Sequence, residues 1–217
     1  MNLESIIYDI ATAAIPILFA ITLHEVAHGW VANKLGDGTA RMLGRLTVNP
    51  IKHIDPIGTI AVPLLAVISA GIMFGWAKPV PVSTRNLKNP RKDMALIAIA
   101  GPVSNLLMAA FWVIIMKIAL PMADSDGIGR GFSDMAGIGI YFNLILFFFN
   151  LLPIPPLDGS KVLSGFVPRN IANIMDSIEP YGLYIIVGII FLSYNGIINI
   201  SPFFKFIESI ALSLVSL

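Results

Sequence analysis

The chain has 217 residues, 56% of them hydrophobic and 12% charged, with a net charge of +1. A soluble domain carries about 25% charged residues, so half that share excludes an ordinary soluble domain, and the balanced charge gives no support for a nucleic-acid partner. Cysteine is absent, which excludes a disulfide framework and a thiolate metal site.

Residues 6–33 read as one long apolar helix. At 1.5 Å per residue it is about 42 Å long, enough to span a bilayer. The preceding residues lack the basic region of a cleaved signal peptide, so this helix is expected to be retained. Glu4 and Asp9 flank its start, and Lys34, Arg41, Arg45 and Lys52 follow its end. Counting positive charges puts the N-terminus outside and residue 34 inside. Pro16 is positioned to kink it. Within its second half stands His24-Glu25-Val26-Ala27-His28. Positions i and i+4 share a helix face, so both imidazoles can reach one ion, with Glu25 between them as general base: the H-E-x-x-H zinc pattern. His24 lies about 27 Å along the helix from residue 6, which places the motif near the inner side of the membrane.

Residues 36–56 are broken by glycines and prolines and are expected to hold short strand-like pieces but no long helix. Residues 57–75 are apolar and interrupted by Pro63 and Gly71. The loop after them is strongly basic, with Lys78, Arg85, Lys88, Arg91 and Lys92, and a second strand-like piece is expected at 76–83. Both loops belong inside by charge, so 57–75 reads as re-entrant or broken, not as a single crossing. The cluster from Lys88 to Lys92 reads as an anchor against anionic lipid. Residues 94–120 form a clear span containing Gly101-Pro102-Val103-Ser104-Asn105, and 136–152 form another. The latter runs into Asn150-Leu151-Leu152-Pro153-Ile154-Pro155-Pro156-Leu157-Asp158-Gly159, where prolines end regular helix. Residues 160–180 read as polar and interfacial, 181–200 as a further apolar segment, and 203–217 as a short last one. The expectation is an all-α polytopic membrane protein: a bundle of about 5–6 membrane helices in a single domain over 1–217, with a core at 6–160 and C-terminal membrane segments at 181–217.

A catalytic zinc takes three protein ligands and a water. His24 and His28 supply two. The third must be a carboxylate or His53, the remaining histidine. Asp158 is the best candidate, because irregular backbone at membrane depth is tolerated where it lines a cavity or is buried in protein; the bland reading is an interfacial Asp-Gly turn. For Asp158 to meet the histidines, 6–33 and 136–152 must run the same way and 94–120 the opposite way. His53 reads as a substitute ligand, an entrance residue or an interfacial histidine without a site role. Asn105 reads as polar glue between helices or as a residue positioned near the metal.

These motifs resemble the site-2 protease family of intramembrane zinc metalloproteases, in its small bacterial and archaeal form without PDZ or CBS domains. The similarity rests on His24 to His28, on Gly101 to Asn105, on Asn150 through Leu157-Asp158-Gly159, and on the loop Phe74-Gly75-Trp76-Ala77-Lys78-Pro79-Val80-Pro81. It implies one zinc per chain held by His24, His28 and Asp158, water activation by Glu25, and an Asn150 that polarises the scissile carbonyl or stabilises its oxyanion. It further implies transmembrane protein substrates in a lipid bilayer and a prokaryotic cell-membrane location. Two other readings use the same residues: a cation transporter, or a catalytically inactive membrane scaffold.

Overall fold

The computed structural model describes residues 2–62, 75, 77–123 and 127–216. Helix α1, Leu3–Lys34, begins where the Asn2 side chain accepts the backbone N–H of Ser5 at 2.8 Å, satisfying one of the donors a helix start leaves open. Pro16 lies inside it without ending it. The helix stops at Gly36, which takes φ +112°, a conformation that favours glycine. Just beyond, the fully buried Asp37 accepts hydrogen bonds from the Thr39 hydroxyl and backbone, the Ser83 N–H and the Asn86 amide. Burial pushes this carboxyl up, and the bonds outweigh it and hold it below the usual carboxylate range. The segment at 83–86 is thereby tied to the end of α1.

A single-turn helix α2, Thr39–Met42, follows, and then a 3-10 turn at Pro50–His53 and a π-helical turn at Pro56–Ala61. No strand occurs among the described residues. Among the described residues the pieces expected to be strand-like form no ladder: residues 77–80 are held by isolated contacts such as Lys78 N–H to the His53 carbonyl at 2.9 Å and Arg45 Nη2 to the Lys78 carbonyl at 2.9 Å. A ladder cannot form where Pro79 and Pro81 lack N–H groups. Most of the segment expected to be re-entrant, 63–74, lies outside the described residues.

Helix α3 is Pro90–Ala119, with Pro90 in its first turn and Asp93 accepting the Asn89 N–H at 2.8 Å. Helix α4 is Gly127–Asn150. Both begin before their apolar runs do, because a first turn tolerates proline and polar residues. Helices α5, Asp158–Phe166, and α6, Arg169–Ile178, occupy the region expected to be polar and interfacial. Helix α7, Gly182–Tyr194, and helix α8, Ser201–Ser216, complete the chain. Among the described residues, four helical stretches are long and apolar enough to cross a membrane: Leu3–Lys34, Pro90–Met122, Gly127–Asn150 and Arg169–Tyr194. The protein is an all-α polytopic membrane protein. The fourth stretch runs from α6 through a 3-10 turn into α7 and so takes in residues read from sequence as interfacial.

Side-chain contacts fix the helix directions. Tyr8 near the start of α1 donates to Asp134 near the start of α4, while Ala20 and His24 meet Asn105 of α3. Met116, near the end of α3, accepts from Ser133, and Asn105, midway along α3, bonds Asn143, farther along α4. So α1 and α4 run parallel and α3 runs against both. An apolar core joins Ala109, Trp112 and Met116 of α3 to Ala136, Ile140 and Leu144 of α4 and Ile207 of α8. With lipid-like surroundings giving no hydrophobic drive between helices, close packing and interhelical hydrogen bonds hold such a bundle.

Candidate metal centre

His24 and His28 stand one turn apart on α1, on the face turned to α3. Each has its Nδ1 occupied. His28 Nδ1 lies 2.7 Å from the Ile97 carbonyl; a carbonyl only accepts, so Nδ1 carries the proton. His24 Nδ1 lies 2.6 Å from Asn105 Oδ1, another acceptor. With Nδ1 carrying the proton, the neutral, metal-binding form of each imidazole turns its lone pair on Nε2 inward. Fixing the tautomer through the outer nitrogen is the arrangement metal-binding histidines use.

Asp158 reaches this point from the other side. Pro153, Pro155 and Pro156 keep the chain from continuing as helix after α4, and Asp158 opens α5. Next to it, Gly159 packs so closely on the end of α4 that an added Cβ would stand 2.2 Å from the Leu151 carbonyl oxygen. Helix α5 is held from α3: Arg91 Nη2 donates to the carbonyls of Ser164 and Val167, the latter at 2.7 Å, and Gly165 sits against Ala95. Arg91, read from sequence as part of a lipid anchor, instead satisfies carbonyls at the end of α5, where a cation also complements the helix dipole.

Asp158 Oδ2 lies 3.2 Å from His24 Nε2 and 3.3 Å from His28 Nε2, and the two Nε2 atoms are 3.1 Å apart. Asp158 Oδ2 is buried with no hydrogen-bond partner among the described residues. With Nε2 unprotonated on both rings, the three atoms converge as acceptors on one point, the arrangement a cation requires. Zinc with bonds of about 2.0–2.2 Å in a tetrahedron sets its ligands about 3.3–3.6 Å apart, close to the triangle observed. The donor set of two imidazoles and one carboxylate is also that of a catalytic zinc with an open fourth position. Among the described residues this is the group of histidines and acids that could hold a metal ion.

Space for the imidazoles comes from α3. At Gly101 a Cβ would lie 2.5 Å from His28 Nε2 and 2.6 Å from His24 Cε1. The need for a residue without a side chain explains the glycine of Gly101-Pro102-Val103-Ser104-Asn105. Glu25, on α1 between the histidines, is partly buried, and its Oε2 accepts the Val80 N–H at 2.7 Å.

The remaining candidates are placed as follows. Asn105 touches His24 directly. His53 is buried at 2% exposure and lies outside the cluster; its Nε2 meets the Thr47 carbonyl at 2.9 Å, and its own carbonyl holds Lys78. It supports the 77–80 segment beside Glu25. Asn150 donates to the Leu146 carbonyl one turn back on its own helix, at 3.0 Å, so that contact does not join it to the cluster. Asn143 and Arg91 are not singled out by sequence reasoning for this region. Each is hidden by its setting, one as a lone amide in an apolar run and the other inside a basic cluster.

A profile described as Peptidase family M50 matches residues 116–193. The chain is 43% identical over 184 residues to a Bacillus subtilis protein named "Putative zinc metalloprotease YwhC", covering 84% of this chain and 80% of that one. It is 29% identical over 171 residues to "Putative zinc metalloprotease Rip2" of Mycolicibacterium smegmatis, covering 78% of this chain and 62% of that protein. It is 43% identical over 67 residues to "Putative zinc metalloprotease MJ0611" of Methanocaldococcus jannaschii, covering 31% of each. No solved structure matches the chain at a significant level.

Proposed function

The chain belongs to peptidase family M50, and we propose that this membrane zinc metalloprotease hydrolyses peptide bonds within or beside transmembrane segments of other membrane proteins. In this reading one zinc per chain is held by His24 Nε2, His28 Nε2 and Asp158. The observation that supports it most is the convergence of those three atoms at 3.1–3.3 Å beside a helix long enough to span a bilayer. The cationic residues after α1 and before α3 support an N-terminus outside and a site towards the cytoplasmic side.

The bound zinc supplies a Lewis acid that polarises the scissile carbonyl and acidifies a water to a pKa of about 7. The chain's own residues do the rest. Val80 N–H holds Glu25 Oε2, leaving Oε1 free of hydrogen bonds among the described residues to take the water's proton and return it to the leaving amine. Asn105 and the Ile97 carbonyl keep both imidazoles in the tautomer that offers Nε2. Asn150 is assigned the amide donor that meets the developing oxyanion. A membrane-embedded site also restricts bulk water, and a helical substrate must unwind locally to present its carbonyl.

The test is direct. Protein purified in detergent without chelators is assayed for bound metal, then incubated with a single-pass membrane substrate, and the cut is mapped by mass spectrometry. The expected result is one zinc per chain and chelator-sensitive cleavage inside or next to the apolar segment. Metal-free protein, or cleavage that survives complete removal of zinc, overturns the reading.

The glycine at 101 gives a sharper expectation. Gly101→Ala forces the imidazoles apart or off their partners, and overpacking of this kind costs about 1–3 kcal/mol. Zinc affinity, read by competition with a chromogenic chelator, should fall about 5- to 150-fold if the strain falls wholly on the bound state. Wild-type affinity in Gly101→Ala would show that the contact at 2.5 Å does not position the ligands.

A further inference from the structure

Asn143 of α4 is fully buried and touches none of the three candidate metal ligands. Its Nδ2 donates to the Gly139 carbonyl at 2.8 Å. Since a carbonyl only accepts, the amide nitrogen must face Gly139 and the oxygen must face away. That oxygen accepts from Asn105 Nδ2 at 2.9 Å. Asn105 Nδ2 also donates to the Ala20 carbonyl, at 3.2 Å. With its nitrogen committed twice, Asn105 presents its oxygen to His24 Nδ1 at 2.6 Å, and His24 must donate there. The chain of bonds has one direction, from the Gly139 carbonyl to His24 Nδ1, with every donor matched to an acceptor.

We propose that Asn143 is a positioning residue for the metal centre: through Asn105 it fixes His24 in the Nδ1–H tautomer and so strengthens zinc binding. The proposal rests on the reading of His24 as a zinc ligand. Two fully buried amides at membrane depth are costly unless each is satisfied. A helix-joining role alone would need only an Asn105–Asn143 contact of either polarity. The Gly139 bond removes that freedom on the Asn143 side, adding to the longer Ala20 bond that biases Asn105 the same way. A partner bonded directly to a ligating histidine, as Asn105 is to His24, is worth about 10–100-fold in metal affinity, and Asn143 acts through that partner.

The experiment uses the full-length protein with 15N-labelled histidine. The chain has three histidines, so His24 can be assigned and its tautomer read from the two ring-nitrogen shifts of metal-free protein. Zinc affinity is measured separately by chelator competition, and thermal stability alongside. Asn143→Leu keeps the volume and removes the acceptor. Asn143→Asp, protonated at this depth, donates to Gly139 through its hydroxyl and accepts from Asn105 through its carbonyl, preserving the direction. The expected result is a mixed His24 tautomer and about 10–100-fold weaker zinc in the leucine variant, with the aspartate variant like wild type in both. A role confined to packing gives the opposite order, since leucine fits an apolar bundle better than a carboxyl does. That order overturns the proposal. So does a folded leucine variant that keeps a single Nδ1–H tautomer and wild-type zinc affinity. Should the leucine variant fail to fold, Asn143→Ala takes its place in both measurements. A mixed tautomer with weakened zinc then supports the proposal, and a single Nδ1–H tautomer with wild-type affinity overturns it. If wild-type protein binds no zinc, the metal reading fails by itself, and the tautomer of metal-free protein still decides whether the relay exists.

Discussion

Asp158→Asn is expected to leave a folded protein that no longer retains zinc and no longer cleaves its substrate. The substitution keeps shape and one oxygen but removes the negative charge, and Asp158 is the anion in a set whose other members are neutral imidazoles. A divalent cation at membrane depth with two neutral ligands and no carboxylate carries its full charge in a poorly polarisable setting, which is where charge is most expensive. Loss of an outer partner costs about 10–100-fold in metal affinity, so loss of a direct anionic ligand should exceed about 100-fold. The measurement is zinc content after dialysis against a weak chelator, together with the competition constant. Folding is checked by thermal unfolding of the metal-free proteins, in which wild type and variant should differ little. If Asp158 were simply the polar residue of an interfacial turn, asparagine would serve as well, because both suit such turns. Wild-type zinc content in Asp158→Asn would therefore remove Asp158 from the centre despite its 3.2 and 3.3 Å approaches to the histidines.

What the sequence makes legible follows from which interactions are local. Helix α1 and the pairing of His24 with His28 depend on periods of 3.6 and on spacing i to i+4, both written in consecutive residues. The relative direction of α1, α3 and α4 is also accessible, because requiring Asp158 beside His24 leaves one arrangement, and the Tyr8–Asp134 and Asn105–Asn143 contacts have that arrangement. The helix starts are not legible. Pro90 and Gly127 look like breakers, yet both stand in first turns, where missing donors and weak propensity are tolerated. The segments at 45–48 and 77–82 have strand-like composition, but a strand is made by its partner. Here the partners are the Arg45 guanidinium and the His53 carbonyl. Charge counting misassigns Arg91, since the count cannot distinguish a guanidinium facing lipid from one bonded to Ser164 and Val167. Asn143 has no local signature at all. Its significance comes from Asn105, 38 residues away in sequence.

Glu25→Gln should separate chemistry from metal binding, keeping one zinc per chain while lowering kcat about 10²–10⁴-fold, the range for loss of a positioned proton acceptor. The structural reason lies in the triplet Pro79-Val80-Pro81. Both prolines lack an N–H, so Val80 carries the one backbone donor of the triplet, and it points at Glu25 Oε2 at 2.7 Å. Arg45 and His53 pin the segment from behind through Lys78. A glutamine can offer its amide oxygen to the same N–H and fill the same volume, so the loop, the two histidines and the zinc have no reason to move. It cannot accept a proton at neutral pH. KM should accordingly stay near wild type while kcat falls, the pattern of an interaction used only in the transition state. Measured on the substrate that wild type cuts, undiminished kcat in zinc-loaded Glu25→Gln would show that another group takes the proton. The Val80 contact would then be a structural bond between the loop and α1. Loss of zinc in the same variant would instead show that Glu25 helps to hold the metal, and the division of labour between Glu25 and Asp158 would have to be redrawn.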